Sequence, residues 1–400
     1  MKILVINTGS SSIKYVVYEM DGHQVLAKGL VDRIGDPASS LTNSLFTPDE
    51  HKERIETLIP NHTAGLEMVV KLLTDAEKGI IKDTSEIAAV GHRVVHGGER
   101  FSTPVVIDDE VKAKIEELIT LAPLHNPANL EGIKVAEQFF PDAKQLAVFD
   151  TAFHQTMPPK SFRYPIPNRL YTEEKIRVYG MHGTSHSYVS KQLISQLDKQ
   201  AEETSVISIH LGNGSSMAAV KGGKCIDTSM GLSPLAGLMM GTRSGDLDPA
   251  VPFYLGTTLG MKLEDIDKML NKESGLKGIT GTNDMRDVMD QRAKGDENAT
   301  LAIDMYVQRI KKYIGAYAAE LGALDAIAFT AGIGENSAKL RELVCEGLGV
   351  LGIELDKEKN TASGSGNRRI STDSSKVEVW IIPTNEELEI AIQSERVLNN

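Results

Sequence analysis

Histidine and arginine are concentrated in short, glycine-flanked segments of the sequence, where their side chains could act on an anionic ligand. Seven of the ten histidines lie between positions 92 and 210, in segments without helical or strand periodicity. No pair of them has zinc-type spacing, and His182 and His186 lack the adjacent glutamate of a metalloprotease helix. A single histidine is more often structural than catalytic, but this cluster includes Arg93 and indicates a functional site.

Two glycine–serine loops each follow a β-branched run and offer the groups that a polyphosphate needs. The first loop spans 7–12, with Lys14 beyond it, and the second spans 212–216. Small residues let the backbone N–H groups approach an anion, and the serine hydroxyls add further donors. Either loop alone could be a plain β-turn, but the pair suggests a duplicated fold with one phosphate loop in each half.

Two further segments are typical of contact with a nucleotide or another anion. Residues 331–336 follow an apolar run at a predicted strand-to-helix turn, which suits a nucleotide, although a tight turn without a ligand is the alternative. Arg243 lies among the turn-forming residues 241–249, and an arginine on such a loop suits phosphate or carboxylate. The alternative is that Arg243 binds no ligand and forms a surface ion pair with Asp246 or Asp248.

Two acidic residues are candidates for metal binding or proton transfer. Asp150 ends the apolar run 146–149, where a carboxylate would point from the end of a sheet into a cleft. Glu386 lies at the predicted start of the last helix, and acidic residues are common there as capping groups. Capping therefore explains Glu386 more readily than it explains Asp150.

The elements that position these residues alternate between strands and helices. Apolar runs predict strands over 3–6, 13–18, 24–31, 87–90, 145–149, 206–210 and 377–382, and periodicity predicts helices over 64–73, 108–121, 184–197, 297–321 and from Glu386. The apolar stripe of helix 297–321 indicates core packing, with an oligomer contact as the alternative. Four prolines predict an extended passage over 157–167, and 361–375 is predicted to be an exposed loop.

Length and charge set the broad class of the protein. The chain has 400 residues and a net charge of -12, so we predict two domains that bind neither nucleic acid nor anionic membrane surfaces. No apolar run reaches the roughly 18–20 residues of a membrane span, and the start lacks a signal-peptide apolar region. With only Cys225 and Cys345, the sequence predicts a reduced, cytoplasmic enzyme.

Taken together, these motifs resemble those of the acetate kinase family, which belongs to the actin, Hsp70 and sugar-kinase superfamily. The resemblance extends over essentially the whole chain. It rests on the segments 5–12, 91–99, 149–154, 210–215, 241–249, 332–336 and 383–387.

The resemblance implies an α/β fold of two duplicated actin-like ATPase (ribonuclease H-like) domains, with mixed sheets and a nucleotide cleft between them. The N-terminal domain would be 1–152, completed by a C-terminal helix over 386–400. The second domain, 153–385, would bind the nucleotide and form a homodimer. The implied activity is Mg²⁺-dependent, reversible, in-line transfer of the ATP γ-phosphoryl group to acetate, giving acetyl phosphate and ADP, with Mn²⁺ as a substitute metal.

The resemblance also implies roles for individual residues. Arg93 would hold the carboxylate, and His182 and Arg243 would stabilise the transition state. The other implied assignments are Asp150 as active-site acid; His125 and Asn213 as assisting residues; Asn7 and Glu386 for Mg²⁺; Lys14, His210, Leu211, Gly212, Asn213 and Gly214 for phosphates; Asp284, Met285, Arg286, Gly332, Ile333, Gly334, Glu335 and Asn336 for the nucleoside; and Arg93, Val95, Leu124, Met181 and Pro234 for the acyl group.

Several alternatives remain open at this level. A carboxylate is already ionised at pH 7 and needs no general base, so we assign Asp150 to positioning, through Mg²⁺ or a neighbouring cation. Met181 stands where the family commonly has Phe, so propionate or butyrate stays open as an alternative acceptor to acetate. A sugar or polyol kinase with Asp150 as base, and an actin- or Hsp70-like ATPase without a metabolic role, are the rival classes.

Overall fold

The computed structural model describes residues 1–46, 50–123 and 125–399, which form two compact units. Unit 1 comprises Met1–Phe153 and Asn385–Asn400, and unit 2 comprises His154–Thr384. Each unit has its own sheet. Within the described residues, no helix has both the length and the apolar character needed to cross a membrane.

Unit 1 is built on an eight-stranded mixed sheet. In sheet order it runs β5-β4-β3-β2-β1-β6-β8-β7, and the strands are β1 (Lys2–Gly9), β2 (Ser12–Glu19), β3 (Gln24–Asp32), β4 (Ser40–Leu45), β5 (His51–Glu56), β6 (Ile87–Val94), β7 (Val105–Val106) and β8 (Lys144–Phe149). Strands β1 to β5 form an antiparallel meander, whereas β6 is parallel to β1 and β8 is parallel to β6.

Helices cover both faces of the central strands of unit 1. They are α1 (His62–Leu73), α2 (Asp109–Glu117), α3 (Asn126–Phe139) and the C-terminal helix (Glu386–Leu398). Because successive side chains of a strand point to opposite faces, Leu4 and Ile6 pack in one cluster with residues of α1 and α3. Ile3 and Val5 pack in another cluster, with Ile390 of the C-terminal helix.

Unit 2 is built on a six-stranded mixed sheet in the order β11-β10-β9-β12-β14-β13. Its strands are β9 (Ser205–Leu211), β10 (Ser215–Lys221), β11 (Lys224–Thr228), β12 (Ala326–Thr330), β13 (Arg368–Arg369) and β14 (Glu378–Ile381). Strands β9 to β11 are an antiparallel meander, and β12 and β14 run parallel to β9.

The two sheets share one topology, which confirms the predicted mixed α/β class and its duplication. In unit 1 the order β3-β2-β1-β6-β8 repeats as β11-β10-β9-β12-β14 in unit 2. In both, a three-stranded meander is followed by two strands parallel to the first. The two glycine–serine loops occupy equivalent hairpins, between β1 and β2 and between β9 and β10.

The helices of unit 2 surround this sheet. They are α4 (Pro159–Phe162), α5 (Arg169–Thr172), α6 (Gly183–Ile194), α7 (Ala250–Thr257), α8 (Leu263–Lys272), α9 (Gly275–Thr280), α10 (Met285–Ala293), α11 (Glu297–Leu321), α12 (Ala331–Asn336), α13 (Ala338–Cys345) and α14 (Lys357–Thr361). The predicted bounds of α11 are confirmed. An Asp296 cap begins this helix, Gly322 ends it, and its apolar stripe is buried in the core rather than left for an oligomer contact.

Some local predictions were wrong. The proline-rich segment 157–167 contains the short helix α4, because Pro159 occupies the first helical turn, where its missing N–H costs nothing. The segment 361–375 contains the two-residue strand β13. Residues 331–336 form helix α12 rather than a turn that precedes a helix, and helix α2 ends at Glu117.

Two acidic side chains meet away from the candidate site, between β11 and α11. Burial, and then the neighbouring Glu320 carboxylate, raise the pKa of Asp227 to about 7. In the unfolded chain Asp227 would titrate near 4. The folded state therefore binds the proton more tightly, and stability is lost as pH rises through this window.

We expect Asp227→Asn to stabilise the fold at pH 8 but not at pH 3. The amide resembles the protonated acid, so the gain should grow by at most about 1.4 kcal/mol per pH unit between about pH 4 and 7. Thermal unfolding across this range measures it, with the exposed Asp198→Asn as control. A gain in stability that did not depend on pH would contradict the raised pKa of Asp227.

Candidate functional site

In unit 1, Arg93 is held by two carboxylates. It lies near the end of β6, and Asp150 directly follows the neighbouring parallel strand β8. Arg93 Nε and Nη2 both donate to Asp150 Oδ2, at 3.0 and 2.5 Å, and Nε lies 3.7 Å from Glu386 Oε2. Asp150 is 1% exposed. The three side chains therefore form one charged cluster in which Asp150 orients the guanidinium.

The electrostatics of this cluster keep Arg93 charged. Burial alone would lower the pKa of Arg93, but the Asp150 and Glu386 carboxylates raise it above its usual value. Burial raises the pKa of Glu386, and Arg93 opposes that shift. Glu386 is thus a partner of Arg93, while the helix cap is Asn385, whose side chain accepts from Leu388 N. The capping alternative for Glu386 was wrong.

The predicted metal ligands Asn7 and Glu386 both lie in unit 1. Within residues 1–46, 50–123 and 125–399, no group of three or more His, Cys, Asp or Glu side chains could hold a metal by itself. Mg²⁺ usually takes only one or two protein carboxylates and completes its shell with phosphate oxygens and waters. The donor types of Asn7 and Glu386 therefore fit a Mg²⁺ ion shared with a phosphate.

Lys14, predicted to contact phosphates, is paired with an acidic residue. Its ammonium lies 2.5 Å from Glu387 Oε1. Lys14 is opposite Asn7 in the β1–β2 hairpin. The backbone carbonyl of Gly9, at the tip of the same hairpin, is 2.9 Å from His62 Nε2, so a side-chain contact anchors this loop.

In unit 2, the β9–β10 hairpin brings its glycines beside a histidine and an arginine. Gly212 N donates to Gly214 O at 3.0 Å, which closes a tight turn. A Cβ at Gly214 would lie 3.3 Å from His182 Nε2 and 3.4 Å from Arg243 Nη1. The absent side chain therefore leaves a space that these two groups border, at a loop with the composition of a phosphate site.

Arg243 carries a charge that no described carboxylate neutralises. Its guanidinium contacts Met240 Sδ at 3.8 Å, and burial lowers the pKa of Arg243. Asp246 instead pairs with Arg309 at 3.6 Å and accepts from Tyr313. Asp248 accepts from Ala250 N, and no ion pair joins Arg243 to either aspartate among the described residues, so the alternative of a pair with Asp246 or Asp248 was wrong. A partly buried guanidinium without a carboxylate partner is suited to an incoming anion.

His182 is held in an unusual backbone conformation. Its φ of 57° and ψ of 25° are left-handed, and it begins helix α6. Such a conformation is uncommon for a non-glycine residue and often accompanies a functional role. Its ring stacks on His210 with centroids 4.3 Å apart. His210 Nδ1 is in turn 2.8 Å from Ser185 Oγ, so neighbouring side chains hold both rings.

The predicted nucleoside residues line one cavity of about 900 Å³ in unit 2. Its lining is Gly212, Asn213, Asn283, Asp284, Met285, Arg286, Met289, Asp290, Gly332, Ile333, Asn336, Ser337, Ala338 and Lys339. Asp284 caps α10 and is ion-paired with Arg286 at 2.5 Å, and hydrogen bonds from Arg286 lower the pKa of Asp284 to about 2. Asn283 Nδ2 donates to Asn213 Oδ1 at 3.2 Å and joins the cavity to the hairpin.

Glu335 and Gly334 do not line this cavity. Glu335 Oε1 accepts from Thr384 N at 3.2 Å, so this side chain supports the turn rather than facing a ligand. Gly334 is buried, and its carbonyl accepts from Arg341 Nη1 at 2.7 Å. Arg341 also binds Glu335 O and both oxygens of Asn360.

Sequence reasoning missed Arg341 as a residue that holds the end of α12. It is only 2% exposed, and burial lowers its pKa to about 10. An arginine in a surface-like helical pattern gives no signal that it is buried. His186 and Ser216 stand in motifs that the sequence singled out, but the contacts of Ser216 with both His182 and His186 could not be read from spacing.

The predicted acyl-pocket residues are dispersed over both units. Met181 is buried, and Val95 and Pro234 are partly exposed. Met181 O is 3.0 Å from His154 Nε2, which fixes the residue that precedes His182. His125 is exposed at the start of α3. Leu124 lies outside the described residues.

We expect Gly214→Ala to lower kcat at least about 10-fold while changing the free energy of unfolding by less than about 1 kcal/mol. The backbone at Gly214 is not left-handed, so the added methyl acts by filling the space between His182 and Arg243. Steady-state kinetics and thermal unfolding measure the two effects. The control is Gly315→Ala in α11, where a Cβ meets nothing within 4 Å. An unchanged kcat would show that no reacting group occupies this space.

Comparison with known proteins identifies the family. The sequence profile of the Acetokinase family matches residues 2–392. The acetate kinase of Oleidesulfovibrio alaskensis is 53% identical over 400 residues, which is 100% of both chains. The crystal structure of Porphyromonas gingivalis acetate kinase is 46% identical, with a TM-score of 0.93 over 99% of each chain. That of a propionate kinase from Francisella tularensis is 44% identical, with a TM-score of 0.90 over 98% of each chain.

The chain therefore belongs to the Acetokinase family, and the resemblance inferred from its motifs is confirmed. These relatives are matched over nearly their full length, so the family assignment covers both units.

Proposed function

We propose that the protein is an acetate kinase, which transfers the γ-phosphoryl group of ATP reversibly to acetate and forms acetyl phosphate and ADP. The proposal is supported by family membership over residues 2–392. The observation that carries it is the convergence of His182 Nε2 and Arg243 Nη1 on the space at Gly214. A phosphoryl group in transfer needs such donors and positive charge around its equatorial oxygens.

The chemistry of the acceptor decides which groups the enzyme needs. An acetate ion attacks phosphorus without losing a proton, so the main obstacle is repulsion between two anions. Arg243 and His182 would stabilise the charge in transfer, and Arg93 would bind the acetate carboxylate. Asp150 would position Arg93, which agrees with the 2.5 Å contact between them. His125 would assist.

The nucleotide would bind to the residues of unit 2 that carry the cavity and the hairpin. The cavity-lining residues Asp284, Met285, Arg286, Gly332, Ile333 and Asn336 would surround the nucleoside. The loop 210–214 and Lys14 would contact the phosphates. Support comes from the cavity of about 900 Å³, whose lining includes Gly212 and Asn213 of that loop.

We also propose that Mg²⁺, with Mn²⁺ as a substitute, is required. When bound, the metal neutralises charge on the phosphate oxygens. Asn7 and Glu386 would hold it through an amide oxygen and a carboxylate. Glu386 already shares its charge with Arg93, at 3.7 Å, so metal binding and the orientation of Arg93 are expected to be coupled.

Hydroxylamine trapping of acyl phosphate tests the function. The protein is incubated with ATP, Mg²⁺ and either acetate, propionate, butyrate or glycerol, and ADP is measured in parallel. Trapped product with acetate is expected. The absence of product with every carboxylate would overturn the proposal. ADP formation that depends on glycerol would indicate a polyol kinase, and ADP formation that no acceptor changes would indicate an actin- or Hsp70-like ATPase.

Propionate is the second candidate acceptor. The solved propionate kinase is nearly as similar to this chain as the solved acetate kinase, at 44% against 46% identity. Met181 is flexible and buried, so it could adapt to a longer acyl chain. The ratio of kcat/KM for acetate and propionate decides between them, and Met181→Phe is expected to shift that ratio toward acetate.

We propose that the protein is a homodimer that associates through unit 2. Helix α7 buries none of its residues although most of them are apolar, and Phe253 and Leu263 are 72% and 77% exposed. Apolar surface of this kind is typical of an interface. Light scattering should give a dimer for the native chain and a monomer for Phe253→Asp combined with Leu263→Asp. A native monomer would contradict the proposal.

The domain and location assignments are proposals as well. We propose an N-terminal domain of 1–152 completed by 386–400, and a second domain of 153–385. The compact units begin and end within one residue of these limits, which supports them. We propose that the protein acts in the cytoplasm, where ATP is available. Cys225 and Cys345 are both free and buried, in agreement with a reducing compartment.

A further inference from the structure

A chain of hydrogen-bonded side chains lies behind the ring of His182. His182 Nδ1 is 2.8 Å from Ser216 Oγ, and the same oxygen is 2.8 Å from His186 Nε2. On its other side, His186 Nδ1 is 2.9 Å from Ser208 Oγ. Ser208, His186 and Ser216 are fully buried, whereas His182 is partly exposed. The proposed function uses only His182, so the other three groups have no assigned role.

The protonation state of His186 limits how this chain can be arranged. Burial, helped by the nearby His154 and His210, lowers the pKa of His186 well below its usual value. The ring is therefore neutral near pH 7, with one N–H and one lone pair. It must donate to one of its two serines and accept from the other.

We propose that Ser216 and His186 are positioning residues that fix the orientation and the tautomer of His182. The Nε2–H group of His186 donates to Ser216 Oγ, and the Ser216 hydroxyl donates to His182 Nδ1. The Ser208 hydroxyl donates to His186 Nδ1. Each nitrogen and oxygen in this chain then has a partner, and a neutral His182 ring carries its proton at Nε2.

This tautomer is the one that phosphoryl transfer requires. His182 Nε2 faces the space at Gly214 that Arg243 also borders. An N–H at that position donates to a phosphoryl oxygen, whereas the opposite tautomer would present a lone pair to an anion. The left-handed backbone of His182 and the stacking of its ring on His210 do not decide which ring nitrogen carries the proton, whereas a hydroxyl that donates to Nδ1 does. The inference rests on the proposed role of His182 and adds the groups that support it.

Kinetics of serine variants test the positioning role. Ser216→Ala should lower kcat about 10- to 100-fold with little change in the KM for ATP or acetate, because the donor to the transition state is lost rather than substrate binding. Ser216→Thr keeps the hydroxyl and should retain clearly more activity than Ser216→Ala. Ser190→Ala is the matched control, since Ser190 is buried in α6 and its hydroxyl donates to Ser187 O rather than to a histidine. Equal activity of Ser216→Ala and the native enzyme would overturn the inference.

A double-mutant cycle separates positioning from general damage. His182→Asn keeps a residue type that tolerates the left-handed backbone. In this background Ser216→Ala should change kcat less than about threefold, since the two residues act as one unit. If the losses in kcat of the two single variants multiply in the double variant, then Ser216 acts on something other than His182.

The tautomer is also measurable without an activity assay. In ¹⁵N-histidine-labelled native protein, at a pH where His182 is neutral, its Nε2 should have the ¹⁵N shift of a protonated nitrogen and its Nδ1 that of an unprotonated one. The spectrum of His182→Asn assigns the signals, and Ser216→Ala should show a mixture of tautomers. A proton on Nδ1 in the native protein would overturn the inference even if the protein is an acetate kinase. Conversely, the expected spectrum combined with no carboxylate kinase activity would overturn the proposed function and leave the hydrogen-bonded chain standing.

Discussion

Arg243→Ala is expected to lower kcat by about 10²–10³-fold, with the KM values for ATP and acetate within a few-fold of the native values. The guanidinium of Arg243 borders the space at Gly214, which His182 Nε2 also faces. Among the described residues it has no carboxylate partner, so its positive charge is available to a ligand in that space. A charge in that place stabilises an anion that exists only during transfer, so its loss appears in kcat. Steady-state kinetics with each substrate varied in turn give both parameters.

Arg243→Lys distinguishes geometry from charge. Lysine keeps the charge but replaces the planar fork by a single ammonium group, so we expect a loss smaller than that of alanine but still larger than 10-fold, at about the level of one missing hydrogen bond. Arg309→Lys is the matched control, because Arg309 pairs with Asp246 and is not among the groups nearest the space at Gly214. A native kcat for Arg243→Ala, or a loss confined to KM, would remove Arg243 from the transition state.

The glycine hairpins could be predicted because their signal is local. Small residues between two β-branched runs specify a tight turn, and the structure has such hairpins at the ends of β1 and β9. The long helix α11 is a similar case, since its apolar stripe repeats along the helix and faces the core. Duplication was also readable, as each hairpin begins an equivalent meander.

Elements without a periodic apolar signal could not be predicted. Strand β5 has the sequence His-Lys-Glu-Arg-Ile-Glu, in which charged side chains protect an exposed sheet edge. Helix α12 contains two glycines, which disfavour helix by about 1 kcal/mol each. It forms nonetheless because Arg341 binds the carbonyls of Gly334 and Glu335 at its end. That stabilisation comes from tertiary structure and leaves no trace in the local sequence.

The contacts between site residues could not be predicted from the sequence either. The sequence identified Arg93 and Asp150 separately, but their contact depends on β6 and β8 being neighbours in the sheet. The same holds for Ser216, which contacts His182 and His186 only because α6 packs on β9 and β10. The motifs and the family resemblance therefore proposed which residues belong to the site, while the pairing of those residues needed the fold.

Asp150→Asn is expected to lower kcat by up to about 100-fold and to raise the KM for acetate. Arg93 donates two hydrogen bonds to one carboxylate oxygen of Asp150, and an amide oxygen in that place is neutral and holds the guanidinium less strongly. Glu386, 3.7 Å from Arg93, would then take a larger share of its charge and become a poorer ligand for Mg²⁺. We therefore expect the Mg²⁺ concentration for half-maximal rate to rise.

The Mg²⁺ dependence separates this role from that of a general base. A base would be needed only for an acceptor that loses a proton, and its removal would lower kcat at every Mg²⁺ concentration alike. Titration of Mg²⁺ at saturating ATP and acetate measures the shift, with Asp142→Asn, an exposed carboxylate just before β8, as the control. If Asp150→Asn keeps native turnover and native Mg²⁺ dependence, then Asp150 does not position Arg93 for catalysis, and the contact between them serves only the stability of unit 1.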